Sequence, residues 1–152
     1  PGKNGPSDNP NDPDALKRLV DAGINVTINL TQDYPGGTDW FLSRYDEGVK
    51  GNLLIERFPI VDASIPTNQL MREILDSINS HLDAGKNVYV HCWGGSGRTG
   101  TVLGCWLLEN GLAKTENILD ILHELRMGDL DGGHKPTPEK IEQVEFIMNW
   151  IR

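Results

Sequence analysis

Cysteines are few in this chain and long hydrophobic runs are absent, and both features narrow the class of protein. Its 152 residues include two cysteines, Cys92 and Cys105, too few for a disulfide-stapled secreted fold. No apolar stretch approaches the length needed to span a bilayer, and no signal peptide is visible. We therefore expect a cytoplasmic protein without membrane association.

Positive charge is also scarce. The chain has 14 lysines and arginines against 22 aspartates and glutamates, for a formal net charge of −8. A protein this acidic is not expected to bind nucleic acid or anionic membranes in general. The four histidines are scattered, and no group of residues has the spacing of a zinc or magnesium site. We expect no metal and no cofactor.

Length and composition predict a single domain over residues 1–152. A hydrophobic content of 38% at this length is enough to build one core, and we expect a monomer. Residues 1–12 are rich in Pro, Gly, Asn and Asp without periodicity, which predicts a loop. No internal repeat is present.

Hydrophobic periodicity predicts alternating strands and helices. Helices are predicted at 13–22, 68–84, 99–110, 115–126 and 138–151, with Thr67 and Thr137 as N-caps, and strands at 24–30, 53–60 and 88–90. Residues 31–52 give a mixed pattern with a helical turn at 40–42. The helical residues predicted to face the core include Val20, Ile74, Ile78, Leu82, Leu122, Leu125, Ile141, Ile147, Met148 and Ile151. The alternation predicts an α/β fold with a central, mostly parallel sheet flanked by helices.

The most informative stretch is residues 87–100, NVYVHCWGGSGRTG. Its first residues predict a short buried strand that ends at His91 and Cys92, and Thr99 begins a helix. Three glycines in the turn between them permit backbone angles closed to other residues. A strand, a glycine turn and a helix N-terminus form a nest of backbone N–H groups, and tetrahedral phosphate fits such an anion site.

Cys92 and Arg98 stand at the two ends of this turn. Amide donors, a helix N-terminus and a guanidinium around a thiol favour its thiolate form. Arg98 offers planar paired donors to two phosphate oxygens. A nucleophile at the bottom of a phosphate-binding cup predicts covalent phosphoryl transfer through a phosphocysteine. The predicted phosphate-binding residues are Trp93, Gly94, Gly95, Ser96, Gly97 and Arg98. Trp93 either shapes the pocket rim or packs behind it.

The stretch HCWGGSGRTG resembles the signature loop of the cysteine-dependent protein tyrosine phosphatases, in the form used by the small dual-specificity phosphatases. The resemblance runs from about residue 14 to residue 150 and implies a protein tyrosine phosphatase-like fold. It implies that Cys92 is the nucleophile and that Arg98 clamps the phosphate. It also implies that Thr99 hydrogen-bonds the thiolate and that His91 braces the loop from behind. A short strand before the N-terminal loop is usual in the family, and we expect one ahead of residue 1.

A second catalytic group is needed because an alkoxide or phenoxide leaves phosphorus only with a proton donor nearby. Asp62 lies in the strand-to-helix loop RFPIVDASIP, which is similar to the setting of the general acid in the family. The alternative for Asp62 is a structural loop aspartate that begins an Asx turn. The competitors Asp33, Asp39 and Asp46 have no comparable position.

Gln143 and Cys105 are two further positions of interest. Residues 137–143 (TPEKIEQ) are similar to a stretch of some bacterial-type members, and the resemblance implies that Gln143 supports the loop or helps to place water. The alternative is an ordinary first turn of a helix. Cys105 lies about 10 Å beyond Arg98 along a helix, too far from Cys92 for a disulfide, and is predicted to be a core thiol.

The leading hypothesis is a metal-independent phosphomonoesterase that acts on phosphotyrosine, and on phosphoserine or phosphothreonine, in proteins. Its rivals are a phosphatase of phosphoinositides, inositol phosphates or RNA 5′-triphosphates, and a phosphate-binding pseudophosphatase. Lipid-specific relatives commonly carry extra lysine or arginine inside the loop, where this chain has Trp93, Gly94 and Ser96. The expected partner is thus a phosphoprotein or a small phosphorylated substrate.

Overall fold

The computed structural model describes residues 15–32, 52–129 and 133–150. In chain order its elements are α1 (Ala15–Asp21), β1 (Val26–Asn29), β2 (Leu54–Arg57), α2 (Asn68–Asp83), β3 (Val88–His91), α3 (Gly97–Glu109), α4 (Ile118–Arg126) and α5 (Ile141–Met148). Helices and strands are interspersed along the described residues, and the α/β fold class is confirmed.

The three strands form a parallel sheet in the order β2-β1-β3. The central strand β1 is buried along its whole length, because it has a neighbour on each side and no face open to solvent. Asn29, its last residue, lies opposite Arg57 of β2 and His91 of β3. The carboxyl ends of all three strands therefore meet at one edge of the sheet, where α/β proteins place their ligands.

The signature helix α3 is held firmly in the core. Its packing against α5 depends on Gly104, since a methyl group there would lie 2.6 Å from Ile147 Cδ1. On another side lies α2, whose Met71, Ile74 and Leu75 are fully buried. This packing fixes the N-terminus of α3, the end that carries the signature residues.

The predicted N-cap of α2 is present: Thr67 accepts a hydrogen bond from the backbone N–H of Leu70 at 3.1 Å. Two other boundaries differ from prediction. The strand β2 ends at Arg57 rather than at residue 60, because the parallel register is lost there: Phe58 N–H donates to the Asn29 carbonyl but Ile60 N–H donates to that of Leu30, only one residue further. The helix α4 begins at Ile118 rather than at residue 115, because residues 114–117 form a turn closed by hydrogen bonds between Lys114 and Asn117.

Smaller differences are found elsewhere. The strand β1 spans Val26–Asn29 instead of 24–30, and α3 begins at Gly97, two residues before Thr99. The strand β3 is half-buried up to Val90, not fully buried as predicted. Five residues predicted to face the core are exposed, because the helices bury only narrow stripes: Val20, Leu82, Leu125, Ile141 and Met148.

The prediction for the last helix is wrong at its start. Thr137 does not cap it, because its hydroxyl donates to the Ser96 carbonyl at 3.0 Å. The helix begins only at Ile141, and Gln143 accepts the backbone N–H groups that precede it. The predictions for residues 1–12, for the turn at 40–42 and for Ile151 lie outside the described residues. Within the described ranges, no helix is long and apolar enough to cross a membrane.

Candidate active site

The signature loop lies between β3 and α3, at the carboxyl edge of the sheet. Cys92 follows the last residue of β3 and is buried, with 2% of its surface exposed. The first turn of α3 carries Thr99, whose hydroxyl donates to Cys92 Sγ at 3.1 Å. The hydrogen bond that the family resemblance implied is therefore present in the structure.

Arg126, at the end of α4, holds the outer side of this loop. Its Nη1 donates to the Gly95 carbonyl at 2.9 Å, and its Nη2 donates to the Gly94 carbonyl at 3.3 Å. Asp129 Oδ2 forms an ion pair with Nη2 of the same guanidinium at 3.3 Å, which helps to orient it. The planar fork of an arginine suits this double contact, and a lysine cannot reproduce it.

The segment before α5 holds the next part of the loop through a reciprocal pair of contacts. The Thr137 hydroxyl donates to the Ser96 carbonyl at 3.0 Å, and the Ser96 hydroxyl donates to the Pro136 carbonyl at 2.8 Å. The close packing also explains why residue 100 is a glycine, since a methyl group there would lie 2.4 Å from Thr137 Oγ1. The loop and the segment 136–137 are therefore positioned as one unit.

His91 fixes the first peptide of the loop. Its Nδ1 lies 3.0 Å from the Cys92 carbonyl, which can only accept, so Nδ1 carries the proton. The side chain is fully buried, and burial lowers the pKa of His91 to about 4, with further lowering from the nearby Arg57 and Arg98 guanidinium groups. The ring is neutral near pH 7 and braces the loop from behind.

These outward contacts determine where the loop's amides point. In a planar trans peptide the carbonyl and the following N–H point in opposite directions. The carbonyls held from outside belong to Cys92, Gly94, Gly95 and Ser96. The N–H groups turned to the inner side therefore belong to Trp93, Gly95, Ser96 and Gly97. Gly95 has φ of +70°, which a side chain would strain. The arrangement is an anion cup above Cys92.

Arg98 is buried at the wall of this cup, although it is charged. Its Nη1 donates to the Ile60 carbonyl at 3.1 Å, which anchors the guanidinium against the sheet edge. Its Nη2 lies 3.2 Å from Asp62 Oδ1, and the Asp62 side chain is 41% exposed. The structure therefore brings together two sequence-predicted site residues from different loops.

The loop that carries Asp62 is held from two directions. Gln32 accepts the Asp62 backbone N–H at 3.2 Å, and Asp62 Oδ1 accepts the Ala63 N–H at 2.9 Å. Ala63 has φ of +58°, an uncommon value for a residue with a side chain. From the other side, Gln143 donates to the Ser64 carbonyl at 3.0 Å. These hydrogen bonds fix the loop, and the loop holds Asp62 at the mouth of the cup.

Gln143 is fully buried, and both ends of its amide are occupied. Its Oε1 accepts the backbone N–H groups of Glu139 at 3.2 Å and Lys140 at 3.1 Å, while its Nε2 reaches Ser64. The side chain links the Asp62 loop to the segment before α5. In this arrangement the Gln143 side chain supports the Asp62 loop.

The exposed fractions of Trp93 and Cys105 show where these two side chains lie. Trp93 is 42% exposed, so its side chain is not packed in the core behind the loop. Cys105 is fully buried in the core, and burial raises its pKa. Both Cys105 and Cys92 are free thiols, as the spacing predicted. Sequence reasoning missed Arg126 and Gln32, because a helix-terminal arginine and a loop glutamine carry no local signal of their distant partners.

Comparisons with known proteins agree with this geometry. Residues 4–136 match a family described as "Swiss Army Knife protein, DSP-PTPase phosphatase domain". An uncharacterized protein of Methanocaldococcus jannaschii is 38% identical over 94 residues, which are 62% of this chain and 57% of that protein. The phosphatidylinositol 3,4,5-trisphosphate 3-phosphatase of Dictyostelium discoideum is 42% identical over 72 residues, 45% of this chain and 11% of that protein. The chain thus spans little more than half the length of the first of these relatives.

Two solved structures share the fold. The kinase associated phosphatase has a TM-score of 0.70 at 21% identity, covering 89% of this chain and 72% of that one. PTPMT1 in complex with PI(5)P has a TM-score of 0.67 at 18% identity, covering 88% and 81%. The fold and the signature loop are those of the cysteine-dependent protein tyrosine phosphatase superfamily. Within it, the chain belongs to the family of DSP-PTPase phosphatase domains.

Proposed function

We propose that this phosphatase hydrolyses phosphate monoesters in proteins, on phosphotyrosine first and on phosphoserine or phosphothreonine more slowly, through a phosphocysteine. The observation that carries the proposal is the Thr99–Cys92 contact at the floor of a loop whose amides face inward. A thiolate there is stabilised by a hydrogen bond, by the loop amides and by the N-terminus of α3.

The reaction would proceed in two displacements. The Cys92 thiolate attacks phosphorus and the bond to the leaving oxygen breaks, while Asp62 gives its proton to that oxygen. Water then attacks the phosphocysteine, Asp62 takes a proton from the water, and inorganic phosphate leaves with the thiolate restored. Arg98 and the inward amides bind the equatorial oxygens in both steps and stabilise the charge that develops there. Thr99 stabilises the sulfur as it departs in the second step.

The choice of a protein substrate rests on the walls of the cup. Arg98 is the one cation in the sequence between Cys92 and Thr99, and the exposed indole of Trp93 offers an apolar rim to an aryl ester. The second candidate is a phosphoinositide, favoured by the names of two similar proteins, the Dictyostelium 3-phosphatase and PTPMT1 bound to PI(5)P. A headgroup with several phosphates calls for more cations than this loop contains.

The test is turnover of p-nitrophenyl phosphate, a phosphotyrosyl peptide, a phosphothreonyl peptide, a phosphoinositide and an RNA 5′-triphosphate by the same preparation. We expect the phosphotyrosyl peptide to have the highest kcat/KM. Cys92→Ser should abolish turnover and still bind vanadate, whereas Cys105→Ala, at the buried thiol, should retain activity. A clear preference for the phosphoinositide would replace the proposed substrate, and no turnover at all would favour a phosphate-binding module.

A further inference from the structure

Glu139 stands directly beside the phosphate cup and has no part in the reaction described above. Its backbone N–H donates to the buried Gln143 amide at 3.2 Å, so the chain at this point is fixed. Gln143 is in turn wedged against the signature loop, since a methyl group on Gly97 would lie 3.1 Å from its Nε2. The position of residue 139 relative to the loop is therefore built into the fold.

The Glu139 carboxylate reaches across the loop glycines. A methyl group on Gly97 would lie 3.4 Å from Glu139 Oε2, and one on Gly94 would lie 3.9 Å from Glu139 Oε1. The inward amide of Gly97 belongs to the same cup. A negative charge is thus held beside Gly94 and Gly97 of the signature loop.

The other charges near the cup make this carboxylate important. Arg98 is buried and pairs with Asp62, and the second guanidinium at the loop, that of Arg126, pairs with Asp129. Trp93 and Ser96, the loop positions with side chains, are uncharged. A second phosphate on the substrate, close to the scissile one, would meet a carboxylate on the Glu139 side of the cup.

We propose that Glu139 is a specificity-determining residue that rejects substrates with a second phosphate next to the scissile one. This proposal rests on the proposed function and narrows its substrate class to singly phosphorylated peptides, with a neutral or basic residue beside the phosphorylated one. Coulomb repulsion between a carboxylate and a dianion at about 8 Å in a water-like dielectric corresponds to roughly five-fold in affinity. Like-charge placement of this kind acts on selectivity, because it weakens the wrong ligand.

The experiment compares Glu139→Gln with wild type on two phosphotyrosyl peptides that differ only in a neighbouring threonine or phosphothreonine. Wild type should favour the singly phosphorylated peptide, and Glu139→Gln should reduce that preference about five-fold. Glu145→Gln is the matched control, since it removes the same charge from an exposed position farther along α5. It should leave the preference unchanged.

A second measurement does not depend on peptide substrates. Inhibition of p-nitrophenyl phosphate turnover by pyrophosphate and by inorganic phosphate gives a ratio of two inhibition constants. Glu139→Gln should tighten pyrophosphate about five-fold relative to phosphate. An unchanged ratio, or a wild-type preference for pyrophosphate and the doubly phosphorylated peptide, would overturn the role of Glu139. The enzyme could also be inactive on both peptides while Glu139→Gln changes the ratio of the two inhibition constants. That result would contradict the proposed protein substrate and would still support the role of Glu139.

Discussion

Asp62 Oδ1 and Arg98 Nη2 lie 3.2 Å apart across the mouth of the cup. The proposed acid and the proposed phosphate clamp are therefore ion-paired. Phosphate oxygens need the same guanidinium face, while Nη1 stays anchored to Ile60. Binding of a phosphate to that face must thus release Asp62 from Arg98. The released carboxylate takes up a proton before it serves as the acid at the leaving oxygen.

Asp62→Asn tests this competition. The neutral amide pairs less strongly with Arg98, so we expect vanadate and inorganic phosphate to bind several-fold more tightly. Turnover of phosphotyrosyl peptide should fall about 10²–10⁴-fold, the usual contribution of a general acid. A substrate with a much more acidic phenol should lose far less. Weaker vanadate binding together with an equal loss on all leaving groups would make Asp62 a structural loop residue.

Arg126 is predicted to be essential for the shape of the cup. Arg126→Lys keeps the charge but cannot hold the carbonyls of Gly94 and Gly95 together, so their amides lose their inward orientation. We expect kcat/KM for p-nitrophenyl phosphate to fall about 10²-fold, as for loss of one oxyanion donor. Asp129→Asn, which weakens only the support of Arg126, should cost much less. Activity near wild type in Arg126→Lys, in a folded protein, would remove this role.

Thr99→Val removes the hydroxyl that donates to Cys92 Sγ with little change of volume. A hydrogen bond to a charged group contributes about 1.5–3 kcal/mol, so breakdown of the phosphoenzyme should slow by roughly 10–100-fold. In stopped-flow assays a burst of p-nitrophenolate should precede a slow steady state. Thr99→Ser, which keeps the hydroxyl, should stay close to wild type. If both variants behave alike, the hydrogen bond has no catalytic role.

Protonation of His91 predicts how stability depends on pH. Its pKa is about 4 in the folded chain and about 6.5 when unfolded. Between these values the unfolded chain binds a proton that the folded chain does not. The free energy of unfolding therefore has its full value above pH 6.5 and decreases as the pH falls. The loss approaches about 3 kcal/mol near pH 4.

His91→Asn provides the comparison for that loss. Its amide can donate to the Cys92 carbonyl and does not titrate in this range. Urea unfolding at pH 7 and at pH 4.5 should show a smaller drop for His91→Asn than for wild type. If the free energy of unfolding decreases equally in the two proteins between pH 7 and pH 4.5, protonation of His91 is not the cause of the loss of stability in acid.

The sequence predicted those parts of the site that are local in the chain. Cys92, Thr99 and Arg98 belong to one strand-turn-helix unit, and short-range geometry brings them together. Asp62 was predicted from its loop setting, and its pairing with Arg98 appears only in three dimensions. Arg126 was not predicted, because an amphipathic helix pattern does not indicate what its last turn will contact.

The start of α5 shows how distant contacts override local signals. Thr137 and Pro138 have the local pattern of a helix start. In the folded chain the Thr137 hydroxyl serves Ser96 instead, and Gln143 takes over the backbone N–H groups near the helix. Local propensity gave the wrong boundary because Ser96 of the signature loop, 41 residues earlier, competes for the same hydroxyl.

The most direct test of the account is the identity of the covalent intermediate. Wild type and Cys92→Ser are mixed with a phosphotyrosyl peptide, quenched in acid within milliseconds, digested and examined by mass spectrometry. We predict one added phosphoryl group on the wild-type peptide that contains Cys92 and none on the Cys92→Ser peptide. A phosphoryl group on another residue, or turnover that persists in Cys92→Ser, would contradict the phosphocysteine mechanism.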